Sequence, residues 1–426
     1  MRISVPREIR SGERRVGLAP DVIAKLIKSG VEIEIESGAG LASGFTDDSY
    51  AAAGAKVTQG DVLAHADVVA SVTALTADQM KTLKKGAITI SFLSPVTQVE
   101  SIEAAATAGV TAFSMELIPR ISRAQSMDAL TSQALCAGYR ASLVAADLSP
   151  RFFPMLMTAA GTVTPAQVVV LGVGVAGLQA IATAKRLGAV VSAYDVRPAS
   201  ADEVKSMGAK FITLELESLE GAGGYAREMT EERAAKQREL LTPYLAAADV
   251  VITTAAVPGR QAPRLMTQEM VAAMKSGSVI VDLASETGGN VEGSVAGETI
   301  TTAAVPGRTA PRLMTQEMID AMEPGTVIVD LAAETGGNVE GSKPGEVVVT
   351  SGGVRIWGGK DVPSQLPFHA SSLYSRNVVN LLTLMTTGAK DGAPVALNLD
   401  FADEIINASA VTHGGQRRDP SAGGAK

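Results

Sequence analysis

A strand that runs directly into a glycine-rich turn constrains the fold of this chain more than any other feature. Residues 168–171 read Val-Val-Val-Leu, and residues 172–177 follow the pattern G-x-G-x-x-G. Apolar side chains then recur at helical spacing over residues 178–187, and Gly188 provides a stop. In this context the pattern predicts a parallel α/β domain whose helix N-terminus binds the phosphates of a dinucleotide.

The glycines of this turn have separate expected roles. Gly172 permits the tight turn, Gly174 lets the backbone approach a pyrophosphate, and Gly177 lets the helix pack closely on the strand. We therefore expect the whole turn to bind the cofactor: Gly172, Val173, Gly174, Val175, Ala176 and Gly177.

An acidic residue follows the second predicted strand of this domain. The strand, residues 190–194, ends at Asp195. A carboxylate at this place accepts hydrogen bonds from the adenosine ribose and repels a 2′-phosphate, so the sequence favours NAD(H) over NADP(H). Val196 and Arg197 belong to the same expected site, and the positive charge of Arg197 weakens that preference.

Strands alternate with helices along most of the chain, which predicts parallel sheets. At 426 residues the chain exceeds the size of one core, so two domains are expected. Residues 31–36 alternate Glu with apolar residues, which predicts a strand with a solvated acidic face. One long helix is predicted over residues 126–153, and disorder is predicted for residues 414–426.

Composition excludes several other classes of protein. The formal net charge of −8 and the aromatic content of 4% argue against nucleic-acid binding. A single cysteine, Cys136, excludes an intramolecular disulfide, and three scattered histidines argue against a metal site. The sequence shows no signal peptide and no apolar run of about 18 residues, so a cytoplasmic chain without a transmembrane segment is expected.

A tandem repeat interrupts the second domain. Residues 253–300 are followed at once by a near copy, residues 301–348, and 11 of the 48 positions differ. Two copies are too few for a solenoid, so we interpret the repeat as a duplication within one doubly wound sheet. The sequence leaves open which copy occupies the sheet.

Four further segments carry a resemblance to a known family. They are Met-Glu-Leu-Ile-Pro-Arg-Ile-Ser-Arg-Ala-Gln-Ser-Met-Asp at 115–128, Met-Thr-Ala-Ala-Gly-Thr at 157–162, Gly-Gly-Tyr-Ala at 223–226 and Asp-Val-Pro-Ser at 361–364. With the glycine turn, they make the chain resemble the NAD(H)-binding component of proton-translocating nicotinamide nucleotide transhydrogenase. Asp361 departs from the Asn of that family, and so does the repeat.

The resemblance implies further site residues. Arg120, Gln125 and Asp128 match a loop that lies near the nicotinamide of NADH, and they are the candidate catalytic residues. Thr131 stands where the family commonly has Ser. The residues alone leave ordinary roles open, such as a surface ion pair for Arg120 with Asp128 and a helix cap for Gln125.

The remaining matched residues lie in a loop that folds over bound nucleotide in the family. Tyr225 matches its tyrosine and stands beside Gly224, and both are expected to bind NAD(H). Without the resemblance, Tyr225 would be an ordinary aromatic residue of a glycine-rich loop.

The resemblance also implies an activity and its partners. Hydride passes from NADH to NADP⁺ held on a partner subunit, and membrane-spanning subunits translocate the protons. The chain is then a homodimer, peripheral on the inner face of the cell membrane. The implied fold has two Rossmann-like domains with parallel sheets, the second inserted into the first: residues 1–137 with 359–426, and residues 138–358.

Two other functions remain open at the level of sequence. Alanine dehydrogenase shares the two-domain design, and Arg15 matches its carboxylate-binding arginine, but residues 68–75 lack the expected lysine and residues 92–93 the expected histidine. The chain could instead be an inactive NAD(H)-binding module, because two copies of the repeat compete for one place beside the nicotinamide.

Overall fold

The structure, a computed structural model, consists of two compact units. Met1–Cys136 and Pro363–Lys426 form the first, and Ala137–Val362 forms the second, which is inserted into the sequence of the first. The structure describes residues 1–95, 97–215, 230–255, 262–275, 278–285, 288–296, 299–300, 355–358, 362–387 and 395–418.

A six-stranded parallel sheet forms the centre of the first unit. Its strands are β1 (Arg2–Val5), β2 (Glu32–Glu36), β3 (Lys56–Thr58), β4 (Val68–Thr73), β5 (Ile88–Phe92) and β6 (Thr111–Ser114). They lie in the order β3-β2-β1-β4-β5-β6, and every neighbouring pair is parallel. The chain builds one side of the sheet from β1 and then the other, which is the doubly wound topology of a Rossmann-like domain.

Helices connect these strands. They are α1 (Pro20–Lys28), α2 (Asp47–Ala52), α3 (Ala77–Thr82) and α4 (Val99–Thr107). After β6, helix α5 (Ala129–Leu148) begins in the first unit and ends in the second. The first of them shows the local causes: Pro20 begins α1, Val22, Ile23 and Leu26 bury its inner face, and Gly30 turns the chain away at φ +85°.

The predicted helix over residues 126–153 is wrong at both ends. Ser122–Met127 form a 3₁₀ helix, and α5 begins only at Ala129 because the carboxylate of Asp128 accepts the backbone N–H of Thr131 at 2.9 Å, as an N-cap does. The helix ends at Leu148, because Pro150 disfavours helical backbone in the residue before it.

The predicted solvated face of residues 31–36 is also only partly correct. Glu32 is exposed, but Glu34 is buried at 7% exposure, because side chains of the neighbouring strands β1 and β3, Arg2 and Lys56, lie against it. Its carboxylate accepts hydrogen bonds from Lys56 at 2.8 Å and Thr58 at 2.6 Å. Burial raises the pKa of Glu34, but these hydrogen bonds and the charge of Lys56 outweigh burial and hold the pKa below its usual range.

The second unit contains a seven-stranded sheet. Its strands are β9 (Gln167–Leu171), β10 (Val190–Tyr194), β11 (Lys210–Phe211), β12 (Val250–Thr253), β13 (Val279–Asp282), β14 (Thr299–Ile300) and β15 (Arg355–Gly358), after a separate hairpin of β7 (Leu156–Thr158) and β8 (Gly161–Val163). The order is β11-β10-β9-β12-β13-β15-β14, with β14 alone antiparallel to its neighbour. The predicted α/β class with parallel sheets is confirmed.

Both faces of this sheet are covered. Val168 and Val170 pack into one apolar cluster, while Val169 and Leu171 pack into another on the opposite face. This explains why β9 reads as a continuous apolar run rather than an alternating one. Besides the C-terminal part of α5, the described helices of the unit are α6 (Val175–Arg186), α7 (Ser200–Ser206), α8 (Glu231–Ala246) and α9 (Gln268–Ala272).

The first copy of the repeat supplies the sheet. β13, α9 and β14 all lie within residues 253–300, and β15 comes after the second copy. The second copy, residues 301–348, lies outside the described residues.

The C-terminal segment completes the first unit. It contains α10 (Pro367–Leu384), β16 (Thr386–Thr387), β17 (Ala396–Leu397), α11 (Glu404–Ser409), β18 (Thr412–His413) and β19 (Gln416–Arg417). The backbone N–H of Val411 donates to Ala112 of β6 at 2.8 Å, and Gly414 and Gly415 turn β18 into β19 at positive φ. The predicted disorder is therefore wrong for residues 414–418.

None of the described helices combines the length and the apolar character that a membrane span requires.

Candidate functional site

The glycine turn between β9 and α6 has little space for side chains at two of its glycines. Gly172 adopts φ +93°, and a Cβ there would lie 2.9 Å from the backbone nitrogen of Ala255. A Cβ on Gly177 would lie 2.0 Å from the carbonyl oxygen of Gly172, closer than any real contact. The helix can pack against the strand only with glycine at both positions.

The third glycine of the turn faces open space. A Cβ on Gly174 would meet no atom of the described chain within 4 Å. Gly174 is the residue before α6 and has no side chain to cap it, so the first-turn N–H groups of Val175 and Ala176 can donate to another partner. An anion held there would also meet the positive end of the helix dipole. The turn therefore fits a pyrophosphate.

Helix α5 contacts this turn through a residue that the sequence analysis missed. A Cβ on Gly138 would lie 2.1 Å from the carbonyl oxygen of Ala176, so only glycine lets the two helices approach so closely. Thr254 supports the turn from the other side, since its hydroxyl donates to the Gly172 carbonyl at 3.0 Å. Gly138 carried no local motif that could have identified it.

The carboxylate of Asp195 lies at the end of β10, beside the turn. Its Oδ2 accepts the backbone N–H of Val173 at 2.8 Å, and its Oδ1 accepts the side-chain Nε of Arg197 at 2.9 Å. The guanidinium also donates to the Val173 carbonyl at 3.1 Å. A ribose hydroxyl that binds Asp195 must therefore compete with Arg197, and the pair lowers the negative charge that would repel a 2′-phosphate. Val196 packs beside the core of the sheet.

A buried carboxylate organises the backbone that follows β13. Asp282 is fully buried and accepts five hydrogen bonds from residues of the first repeat copy: Thr253, Ala284, Asn290, Val291 and Ser294. Both oxygens of the carboxylate thus accept hydrogen bonds from the surrounding chain. Of the two repeat copies, the first therefore uses the carboxylate of Asp282 to hold its own backbone.

The candidate catalytic loop lies in the first unit. Ala124 and Met127 bury their side chains in the core, while Gln125 and Arg120 are exposed. Asp128 is half-buried, and its two oxygens accept the N–H and the hydroxyl of Thr131 at 2.9 and 2.7 Å. Asp128 rather than Gln125 thus takes the capping role that the sequence left open.

Residues distant in sequence hold this loop, and the sequence analysis missed them. Asn377 and Asn380 of α10 both donate to the carbonyl oxygen of Ser126, at 2.9 and 2.8 Å. Arg123 makes a two-pronged ion pair with Asp403, at 2.7 and 3.0 Å. The Arg123 hydrogen bonds hold the pKa of Asp403 below its usual range.

Arg15, which matches the carboxylate-binding arginine of alanine dehydrogenase, donates its hydrogen bonds to side chains of this chain. Arg15 is buried and donates to Glu13 through Nε at 2.8 Å and NH2 at 2.7 Å. Its NH1 donates to Gln133 at 3.0 Å, and Ser364 of the Asp-Val-Pro-Ser segment also donates to Glu13. The guanidinium therefore has an evident structural role.

The predicted site residues fall in both units. The turn, Asp195, Val196 and Arg197 come together in the second unit, and the loop from Arg120 to Thr131 lies in the first. Gly224 and Tyr225 lie outside the described residues, and so does Asp361.

Two family models match the chain. The model described as "Alanine dehydrogenase/PNT, N-terminal domain" matches residues 4–137. The corresponding C-terminal model matches residues 141–300 and again 295–420, so the two matches meet at the junction of the repeat copies.

Individual relatives are similar over nearly the whole length. An NAD(P) transhydrogenase alpha-subunit protein of Rhodospirillum rubrum is 43% identical over 425 residues, which cover 97% of this chain and 97% of that protein. A solved transhydrogenase structure from Sinorhizobium meliloti has a TM-score of 0.76 at 38% identity and covers 99% of this chain and all of that one. The alanine dehydrogenase of Mycobacterium tuberculosis is 32% identical over 69% of this chain and 75% of its own length. The chain therefore belongs to the alanine dehydrogenase/PNT family, among the alpha subunits of NAD(P) transhydrogenase.

Proposed function

We propose that this chain binds NADH and passes a hydride to NADP⁺ held on a partner transhydrogenase subunit. The observation that carries the proposal is the turn at Gly172–Gly177, with open space at Gly174, in a chain similar to transhydrogenase alpha subunits over almost its whole length. Membership of the family supports NAD(H) binding. Transfer of the hydride to NADP⁺ is what we propose in addition.

Each part of the site has a proposed task. The turn and the first N–H groups of α6 bind the pyrophosphate, and Asp195 binds the adenosine ribose after displacing Arg197. Gln125 holds the nicotinamide end, with Arg120 and Asp128 in the same loop. Gly224 and Tyr225 are proposed to cover the bound nucleotide.

Bound NADH supplies a hydride from C4 of its nicotinamide, so the chain needs no general acid or base for that step. Its residues bind, orient and exclude water. Gln125 suits this task because an amide both donates and accepts hydrogen bonds and does not change its charge during the transfer.

The names of the relatives support a role as one subunit of a larger enzyme. We propose an NADP(H)-binding subunit and membrane-spanning subunits as partners, the latter translocating protons. The chain would then be a peripheral protein on the inner face of the cell membrane.

We also propose that the chain is a homodimer, because the β7–β8 hairpin exposes apolar side chains. All six strand residues of the hairpin are exposed, and Met157 is 78% exposed. Phe152 and Met155 on its approach are 61% and 59% exposed. Clustered apolar exposure of this kind marks an interaction surface, and a second copy of the hairpin is a matching one.

Reconstitution tests the main proposal. The chain is mixed with the NADP(H)-binding and membrane subunits of a related transhydrogenase, and NADH-driven reduction of NADP⁺ is followed. We expect turnover that requires all components. Tight NADH binding without transfer would favour the inactive module instead, and reduction of NAD⁺ by L-alanine would favour a dehydrogenase.

A single substitution tests the site. Gln125→Asn keeps the amide but shortens the side chain, so it should lower hydride transfer about 10-fold or more by misplacing the nicotinamide, while NADH affinity stays largely unchanged. An unchanged rate would remove Gln125 from the mechanism.

A further inference from the structure

We propose that Asn377 and Asn380 of α10 are positioning residues, which set the direction of Gln125 by holding the carbonyl oxygen of Ser126. Both side-chain amides donate to that oxygen, at 2.9 Å and 2.8 Å. The inference deepens the hydride transfer proposed above and rests on it.

The C-terminal end of the loop is held only weakly by the loop's own hydrogen bonds, so partners from elsewhere in the unit can set its direction. Ser122–Met127 form a 3₁₀ helix, whose hydrogen-bond geometry is poorer than that of an α-helix. The backbone N–H of Asp128 reaches the carbonyl oxygen of Gln125 only at 3.3 Å. The side chains of Gln125 and Ser126 are exposed, so core packing does not orient them.

Two apolar anchors and the Ser126 carbonyl together define the loop. Ala124 and Met127 are buried on either side of Gln125 and Ser126. These anchors fix where the two exposed residues lie, but the intervening peptide units can still rotate. A carbonyl oxygen with two lone pairs can accept both asparagine amides, and two donors from one helix fix its direction. Holding this carbonyl restricts the backbone of Ser126, and through it the backbone that carries the adjoining Gln125.

The two asparagines have different secondary roles. They are three residues apart on α10 and so share one face of the helix. Asn377 is buried, and its Oδ1 accepts the hydroxyl of Ser132 on α5 at 2.8 Å. Asn380 is only half-buried. Removal of the Asn380 amide therefore disturbs the loop with the smaller cost to folding.

A double-mutant cycle in the reconstituted complex tests this inference. Asn380→Ala should lower single-turnover hydride transfer about 10-fold, since small misplacements of reacting groups have effects of that size. The NADH dissociation constant and the unfolding temperature should stay close to wild type. In the Gln125→Asn background the same substitution should have almost no further effect, because residues that act through each other are not additive.

The matched control is Arg376→Gln on the same helix. Arg376 is exposed and pairs with Asp21 at 3.0 Å, away from the loop. It should leave the rate unchanged. Additive effects of Asn380→Ala and Gln125→Asn, or a rate loss matched by an equal loss of NADH affinity, would overturn the positioning role.

Hydrogen exchange separates failure of this inference from failure of the proposed function. In the nucleotide-free chain, Asn380→Ala should speed amide exchange at residues 124–128 several-fold, while exchange in β1 stays unchanged. Unchanged exchange in the loop would overturn the inference. Absence of transfer in the wild-type complex would instead overturn the proposed function, and loop exchange would still decide whether the amides hold the loop.

Discussion

The three glycines of the turn differ in what a single methyl group would meet. At Gly177 it would collide with the Gly172 carbonyl, whereas at Gly174 it would enter open space. Substitution of Gly177 therefore disturbs the packing of the folded chain. Substitution of Gly174 changes only the space available to a ligand.

This difference gives a direct test of the nucleotide site. Gly174→Ala should leave the unfolding temperature unchanged but weaken NADH binding at least 10-fold, about 1.4 kcal/mol, because its methyl group occupies space proposed for the pyrophosphate. Calorimetric titration with NADH measures the affinity. Gly177→Ala is the matched control and should lower both stability and affinity. Normal NADH binding by Gly174→Ala would place the pyrophosphate elsewhere.

A second residue, Glu8, should make stability depend on pH. Burial raises the pKa of its carboxyl to about 7, although Thr73 and Val72 donate hydrogen bonds to it. The folded chain then binds more protons than the unfolded chain between about pH 4.5 and 7. Linkage makes the free energy of unfolding fall as pH rises through this window.

Glu8→Gln should remove this dependence. We expect the wild-type chain to lose on the order of 1 kcal/mol of its unfolding free energy between pH 5 and pH 8 through this group, and the variant to lose less. Urea unfolding at a series of pH values measures the difference. The same slope in both proteins would show that other groups cause it.

Residue-level prediction from the sequence succeeds where the cause is local. The positive φ of Gly172 and the close packing of Gly177 follow from the strand and helix on either side. The hydrogen bonds from Asn377 and Asn380 to Ser126 join residues 251 and 254 positions apart. No periodicity marks such partners, because the fold alone brings them together.

At the scale of elements, the sheet of the second unit uses one copy of the repeat. β13 and β14 both come from residues 253–300, and Ile300 of β14 pairs with Ile356 of β15. Residues 349–354 alone would connect the two strands if the second copy were removed. The sheet described here therefore contains nothing that only residues 301–348 supply.

Deletion of residues 301–348 should preserve folding and NADH binding. The repeat lengthens the β14–β15 connection roughly ninefold, and even a fully flexible insertion of that length would cost only about 2 kcal/mol. Thermal unfolding and NADH titration of the shortened chain provide the measurement. Loss of folding or of NADH affinity would show that the second copy has a structural role.

Deletion of residues 253–300 gives a control of equal length. It places Glu323 where Lys275 now pairs with Asp249 at 3.0 Å. Because a favourable charge pair becomes a repulsive one, this variant should be less stable by about 1 kcal/mol. Adding Glu323→Lys to this variant should restore the charge pair and recover the lost stability.

Element boundaries were harder to predict than element types. The apolar run of β9 and the parallel order followed from pattern, because both faces of the sheet are covered. The start of α5 depends on the Asp128 cap. The order of residues 414–418 depends on the pairing of β19 with β18, and β18 follows a residue that hydrogen-bonds to β6. The composition of residues 414–418 suggests disorder, because composition alone does not show that a neighbouring strand is available for pairing.

At the scale of the whole molecule, the β7–β8 hairpin is far more exposed than the strands of the second sheet. The β7–β8 hairpin exposes every strand residue, whereas strands β9, β12 and β13 are almost entirely buried. A two-stranded hairpin is marginally stable by itself, so an external partner would stabilise it. This surface could not be predicted from pattern, because short apolar runs look alike whether they are buried or exposed.

A charge placed in this hairpin should weaken the proposed dimer. Met157→Asp should raise the dimer dissociation constant at least 10-fold, because a carboxylate would be buried without a partner. Sedimentation velocity over a range of concentrations measures it. Met207→Asp, a half-exposed methionine at the end of α7 in the same unit, is the control and should leave association unchanged. Equal association of all three proteins would exclude the hairpin as the interface.

The antiparallel edge pair β14–β15 also has a consequence for protein engineering. Its partner residues Ile300 and Ile356 are adjacent across the ladder at the margin of the sheet, and the 48 residues of the second repeat copy lie between them in the sequence. A fluorescent or affinity domain whose termini lie close together could replace residues 301–348 without parting any two neighbouring strands. The β14–β15 connection is thus an insertion site at which a reporter domain could be placed inside the subunit rather than fused to one of its ends.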